Sequence, residues 1–198
     1  MKPESKELEG YFQHLNGISF LGRTYKRFFT SPLVFLMARR FGPRIIEVGS
    51  GIGSGVLGTF PARVVGIDIN PQAVELCIKR GLSAQLINSD GSFPIADGSF
   101  DACILDNVIE HIENPKTTLD ECWRITSPHG AMLIGVPGVR GFAHDPDHKV
   151  FYDKEKLANL DARWKLVSLF AVPTFFLSQR LSEATRRYGL LAVYKKKP

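Results

Sequence analysis

Cysteine is scarce in this chain, which has three in 198 residues: Cys77, Cys103 and Cys122. An odd number without paired spacing excludes a disulfide-stapled scaffold. The chain also has no C-x-x-C and no Cys/His ligand pair, which argues against a structural zinc site. We therefore expect three reduced thiols in a cytoplasmic protein.

Long apolar runs are also missing. The longest one near the start, residues 32–37, is far too short to span a bilayer. The first ten residues, MKPESKELEG, are polar and contain no apolar core of a signal peptide. We expect no transmembrane segment and a cytoplasmic location, and contact with a membrane surface stays open.

Acidic residues are the minority among the charges, and the formal net charge is +5. This excess suits either a solvated surface or an anionic partner such as a phosphorylated substrate. With 44% hydrophobic residues, the chain has enough apolar material for one globular domain.

Short runs rich in Val and Ile alternate with helical stretches from about residue 44 onward. Such runs are typical of parallel strands covered on both faces. The predicted strands are residues 44–48, 63–67, 84–87, 102–105, 131–136, 164–172 and 189–194. We predict an α/β fold, Rossmann-like and doubly wound, with a mostly parallel seven-stranded sheet and helices on both faces.

Helix start signals support this alternation. Asn70 and Asn114 each precede a proline, the arrangement of an N-cap followed by proline at the first helical position. Ser31 is expected to cap a helix in the same way, and a last helix is predicted near residues 177–188. We predict one domain overall, with residues 1–43 forming a helical cap near the substrate and residues 44–198 forming the core.

The chemistry is concentrated in the stretch IIEVGSGIG, where Glu47 leads into glycines at 49, 51 and 53. Glycine lets the backbone bend sharply and approach a ligand closely. The amides at the start of the following helix offer donors to an anionic group. This pattern predicts a nucleotide-type binding loop.

A series of carboxylates follows the next strands. Asp68 ends the second strand about twenty residues after the loop, where a carboxylate can accept hydrogen bonds from a ribose diol. Asp90 follows the third strand and Asp106 ends the fourth.

These phrases together resemble the class I S-adenosylmethionine (SAM)-dependent methyltransferases, in particular their small "type 11" branch. The matching phrases are IIEVGSGIG, VVGIDIN, SDGSFPIADGSFDACILDNVIEHI and MLIGVPG, in family order from about residue 44 to 138. The resemblance implies SAM as the cofactor and transfer of its methyl group as the activity.

It also implies residue roles. Gly49 and Gly51 would pass under the methionine part of SAM, and Glu47 would orient its amino group directly or through water. Asp68 would bind the ribose hydroxyls. The remaining cofactor residues are Ile69 packed on the adenine, Asp90 accepting from the adenine amino group with the backbone of Gly91, and Asp106 at the methionine moiety.

Simpler roles stay open for several of these residues. The glycines would then serve only tight packing, Asp68 would be a helix-end charge, and Asp90 would form an Asx-turn. His111 is expected to be structural. No Asp/Glu/His cluster in the sequence demands a metal.

The loop after the fifth strand, GFAHDPDH, supplies two candidate general bases, His144 and His148. Asp145 is placed to orient either one, and the loop lies on the side of the sheet where doubly wound folds bind ligands. The alternative is a polar turn in which His148 tethers the segment to the core.

The expected acceptor is a small molecule, a glycan or a lipid-linked compound, methylated through oxygen. The chain lacks the Asn/Asp-Pro-Pro-Tyr/Phe phrase that marks methylation of exocyclic or amide nitrogens, so nucleic acid is not the expected partner. Two alternatives remain. One is an NAD(P)-dependent oxidoreductase, because residues 53–58 formally satisfy G-x-G-x-x-G. The other is a catalytically silent methyltransferase fold that serves as a partner subunit.

Overall fold

A computed structural model describes Thr24, residues 26–173 and residues 177–197. Most of the predicted cap, namely residues 1–23 and 25, lies outside this described part, and the boundary at residue 43 stays a prediction. Among the described residues, no helix combines the length and the apolarity needed to cross a membrane.

Seven strands form one sheet in the order β3-β2-β1-β4-β5-β7-β6. Their bounds are β1 Ile45–Val48, β2 Val64–Asp68, β3 Ala84–Leu86, β4 Phe100–Asp106, β5 Thr126–Pro137, β6 Trp164–Val172 and β7 Gly189–Lys196. The first five are parallel to one another, whereas β7 runs antiparallel to both β5 and β6. The predicted fold class and all seven strands are confirmed.

The helices of the described residues begin with a π-helical turn, Lys26–Thr30, which leads directly into α1. Their bounds are α1 Ser31–Arg39, α2 Val56–Thr59, α3 Pro71–Lys79, α4 Lys116–Ile125, α5 Val139–Phe142, α6 Lys154–Ala158 and α7 Gln179–Ala184. A single 3-10 turn, Ile109–His111, follows β4. The last helix, α7, is shorter than predicted. Ser178 is its N-cap, and the backbone becomes extended at Thr185.

The core has two layers because successive strand residues point to opposite faces of the sheet. Ile45 packs in a cluster with Val34 and Ala38 of α1, whereas its neighbour Ile46 packs in a cluster with Leu119 of α4. Helices therefore cover both faces, as predicted. The three cysteines are buried thiols.

The capping predictions are partly corrected. Asn70 caps α3 as expected, since its side chain accepts from the amides of Gln72 and Ala73. Ser31 is not a cap, because the π-helical turn already continues into α1 and Thr30 occupies the N-cap position. Asn114 lies one residue before the N-cap of α4, where its Oδ1 accepts from Lys116.

Candidate active site

The glycine loop after β1 requires backbone conformations that favour glycine. The φ angles of Gly49, Gly51 and Gly53 are 69°, 53° and 73°. The amides of Gly49 and Ser50 both donate to the carbonyl oxygen of Ile67 at the end of β2. The loop is thereby held against the carboxyl end of β2, where Asp68 follows.

Glu47 lies at the end of β1 beneath this loop. Its Oε1 accepts from the amide of Val56 at 3.1 Å and its Oε2 from that of Leu57 at 2.7 Å, both at the start of α2. Burial raises the pKa of Glu47 to about 7, although these amides and the positive charge of Lys26 oppose the shift. In this arrangement Glu47 fixes the helix that follows the loop.

Asp68 is 2% exposed and accepts two backbone hydrogen bonds. Its Oδ2 accepts from Gly51 at 2.7 Å and its Oδ1 from Asn70 at 2.8 Å. Burial raises its pKa, against these hydrogen bonds. The neighbouring Ile69 is 44% exposed, as an apolar side chain available to an adenine ring would be.

Asp90 forms the Asx-turn that the sequence left open. Its Oδ1 accepts from the amide and the hydroxyl of Ser92, and these bonds lower its pKa. Gly91 has a φ of 87° in this turn. The carboxylate is exposed at the carboxyl end of β3, and an Asx-turn leaves its second oxygen able to accept from a ligand.

Asp106 at the end of β4 has a partner that the sequence did not reveal. The Nζ of Lys26 lies 3.1 Å from its Oδ2. Burial would lower the pKa of Lys26, but Asp106, Glu47 and Glu110 outweigh it and raise the pKa. No local sequence signal joins Lys26 to this group, because the contact depends on how the turn before α1 folds over the sheet.

A cavity of about 180 Å³ opens next to this ion pair. It lies over the carboxyl ends of β4 and β5 and the start of β7. Its polar wall includes Lys26, Asp106, Arg186 and Arg187, and Val34 of α1 contributes an apolar part. The described residues before the core, 26–43, therefore pack on the sheet and also line the cavity.

The two predicted bases occupy different places. His144 is exposed, and its Nε2 lies 2.7 Å from the Nη1 of Arg186 on the cavity wall. His148 has a side chain that is 5% exposed, and its Nδ1 lies 2.9 Å from the carbonyl oxygen of Phe142. The Oδ2 of Asp145 lies 3.8 Å from the Nε2 of His148. Of the two, only His144 contacts a residue of the cavity.

The residues present fit the expected cofactor. SAM carries a cationic amino group, a ribose diol and an adenine amino group, and the strand ends offer a carboxylate to each, in Glu47 or Asp106, Asp68 and Asp90. Asp68 sets one condition: it is buried and already accepts from Gly51, so a diol reaches it only if the loop opens around Gly51.

The central part of the chain is similar to known methyltransferases. Residues 46–134 match the family model described as "Methyltransferase domain". An uncharacterised methyltransferase of Mycobacterium sp. (strain KMS) is 30% identical over 97 residues, which cover 47% of this chain and 38% of that protein. A demethylmenaquinone methyltransferase of Tropheryma whipplei is 28% identical over 98 residues, 47% of this chain and 41% of that one. The chain thus spans less than half of the length of these curated relatives.

Among solved structures, a SAM-dependent methyltransferase of Thermotoga maritima aligns with a TM-score of 0.72 at 18% sequence identity. The alignment covers 96% of this chain and 99% of that one. This likeness establishes the fold. Residues 46–134 thus match a methyltransferase domain, and the chain has the fold of SAM-dependent methyltransferases, whose cofactor is SAM.

Proposed function

We propose that this protein transfers a methyl group from SAM to an oxygen of a small acceptor, which is a small molecule, a glycan or a lipid-linked compound. The observation that carries the proposal is the position of Asp106. Asp106 is the last of the carboxylates that could contact the cofactor. It also lines the cavity whose walls carry Lys26, Arg186 and Arg187. Cofactor and acceptor would therefore meet at the end of β4.

SAM supplies a methyl group on a positively charged sulfur, which an acceptor displaces in line. The chain's own contribution is to bring the two together, align them and exclude water. Asp106 would stabilise positive charge on the cofactor side, and Lys26 of the π-helical turn pairs with it at the cavity.

The walls of the cavity support an acceptor that carries an anionic group. Arg186, Arg187 and Lys26 bring three cationic side chains to a space of about 180 Å³. Guanidinium groups bind phosphate and carboxylate in a bidentate manner. An acceptor anion that engages Arg186 would also release Nε2 of His144, which then becomes able to accept a hydroxyl proton.

Two measurements test the proposal in order. Calorimetry should show micromolar binding of SAM or S-adenosylhomocysteine, and thermal stability should rise by about 2.7 kcal/mol at a hundredfold excess over the dissociation constant. A screen of phosphorylated and glycan hydroxyl compounds with methyl-labelled SAM should then yield a labelled acceptor. Binding of NADH without SAM would instead support an oxidoreductase. Binding of SAM without transfer to any acceptor of this class would support a silent partner subunit.

A further inference from the structure

Two distant segments bring a carboxylate and two imidazoles together. Glu110 and His111 lie in the 3-10 turn after β4, and His148 lies in the loop that follows α5. The amides of Lys149 and Val150 both donate to the carbonyl oxygen of Glu110, at 2.7 and 3.0 Å. These bonds fix the loop against the turn, so the three side chains meet through the fold.

Glu110 is the unusual member of this group. Its side chain is 0% exposed, and neither carboxylate oxygen has a hydrogen-bond partner among the residues that the structure describes. A buried carboxylate without a partner is costly, and such groups are normally paired, hydrogen-bonded or bound to a metal. An unpartnered carboxylate that faces histidines therefore indicates a ligand.

The histidine rings have the orientation of metal ligands. The Nδ1 of His148 lies 2.9 Å from the carbonyl oxygen of Phe142, and the Nδ1 of His111 lies 3.3 Å from that of Asp147. A carbonyl oxygen only accepts, so the Nδ1 of His148 donates to it and, in the neutral ring, the Nε2 that faces Glu110 carries the lone pair. Metal-binding histidines are fixed by backbone carbonyls in this way.

The spacing favours a shared ion over a direct hydrogen bond. Nε2 of His148 lies 3.9 Å from Oε1 of Glu110, which is too long for a hydrogen bond. Two atoms that each lie about 2.1 Å from one ion are separated by roughly 3–4 Å. One ligand atom from each of Glu110, His111 and His148 lies within 4.8 Å of the others, so the widest pair has to move to about 4 Å or less when an ion binds.

We propose that Glu110, His111 and His148 bind one divalent transition-metal ion, with Asp145 beside them. Two imidazoles and a carboxylate suit Zn²⁺, Co²⁺, Mn²⁺ or Fe²⁺, whereas Mg²⁺ and Ca²⁺ prefer oxygen ligands. Oδ2 of Asp145, 3.8 Å from Nε2 of His148, is placed to approach the ion or to orient that ring. The ion would connect the loop after α5 to the end of β4, and the site is independent of the proposed methyl transfer.

The experiment uses Co²⁺ and Zn²⁺ as probes on the full chain, purified without a polyhistidine tag and stripped with a chelator. Visible absorption of Co²⁺ follows ligand geometry, and calorimetry with Zn²⁺ gives stoichiometry and affinity. We expect one ion per chain, a higher melting temperature with the ion, and at least about a hundredfold loss of affinity in Glu110→Gln and His148→Ala. The matched control is His129→Asn, an exposed histidine on β5 whose φ of 67° suits asparagine.

Each binding result either supports the metal site or contradicts it. Loss of binding in the cluster variants with retention in His129→Asn supports the site. The proposal is overturned if the wild type binds no ion, or if folded Glu110→Gln binds as tightly as the wild type. His111→Gln provides the same comparison at a partly exposed position if His148→Ala does not fold. None of these readouts depends on methyl transfer.

Discussion

The two ends of the site are built differently. On the cofactor side, each functional group lies near the carboxyl end of its own strand: Glu47 precedes the last residue of β1, Asp68 is the last residue of β2 and Asp90 lies in the turn after β3. On the acceptor side, the cavity is assembled from the turn before α1, the end of β5 and the residues before β7. Local motifs therefore specify the first region, and tertiary packing specifies the second.

The largest expected effect is a loss of turnover, and it tests the acceptor side. If His144 accepts the acceptor's proton once Arg186 is engaged, His144→Ala should lower turnover by about 10²–10⁴-fold and leave SAM affinity unchanged. Steady-state rates with labelled SAM, together with calorimetry of SAM, measure both quantities.

His148→Ala is the natural comparison for that variant. Its ring is held by Phe142 and faces Glu110, so we expect a lower melting temperature and a turnover that follows the folded fraction. Normal turnover in folded His144→Ala would remove the general-base role, and proximity and alignment would then have to explain catalysis.

The second effect concerns the cofactor side. Asp68→Asn removes the charge that would receive two ribose hydroxyls, and hydrogen bonds to charged groups contribute about 1.5–3 kcal/mol each. We expect SAM affinity to fall by about a hundredfold, measured by calorimetry. Asparagine keeps an oxygen for the amide of Gly51 or Asn70, so the fold should survive.

Glu75→Gln is the matched control, since Glu75 lies on α3 of the same half with an exposed carboxylate paired to Lys79. An unchanged affinity in folded Asp68→Asn would mean that Asp68 only anchors the loop through Gly51 and the helix start through Asn70. The prediction of the cofactor side from local motifs would then be wrong for Asp68, the most buried of its carboxylates.

The fold was predictable because each strand carries its own apolar run and each crossover its own turn signal. Asn70 followed by Pro71 marks the start of α3 in the sequence and caps it in the structure. Ser31 carried the same signal but failed as a cap, because the preceding residues are already helical. A capping residue acts only where the chain before it is not helical, and local sequence does not decide that.

Site residues could be predicted from the sequence where their contacts are local. Asp68 and Asp90 bond to backbone within a few residues or to the adjoining loop, so their strand positions sufficed. Lys26 pairs with Asp106 across the sheet, and His148 approaches Glu110 from another loop. Neither pair has a sequence spacing that identifies it, so the structure was needed.

The smallest effect tests Glu47, which lies where the two regions meet. Burial raises its pKa from 4.5 to about 7. Below pH 4.5 both the folded and the unfolded states hold the proton, and burial of the group carries no ionisation penalty. As pH rises, the unfolded state loses its proton first, so Glu47 lowers the free energy of unfolding progressively until about pH 7. Between pH 5 and pH 8 this loss amounts to about 2 kcal/mol.

The glutamine introduced by Glu47→Gln cannot ionise. Between pH 5 and pH 8, the free energy of unfolding of this variant should therefore fall by about 2 kcal/mol less than that of the wild type. The amide replaces one acceptor oxygen toward Val56 or Leu57, which costs about 1 kcal/mol at every pH and leaves the slope untouched. Glu110, whose pKa burial raises to about 8, is present in both proteins and cancels in the comparison. Urea unfolding at pH 5 and pH 8 measures the difference, with Glu75→Gln as the exposed control. Parallel pH dependences in wild type and Glu47→Gln would show that Glu47 is already ionised at pH 5, stabilised by the α2 amides and Lys26 despite its burial.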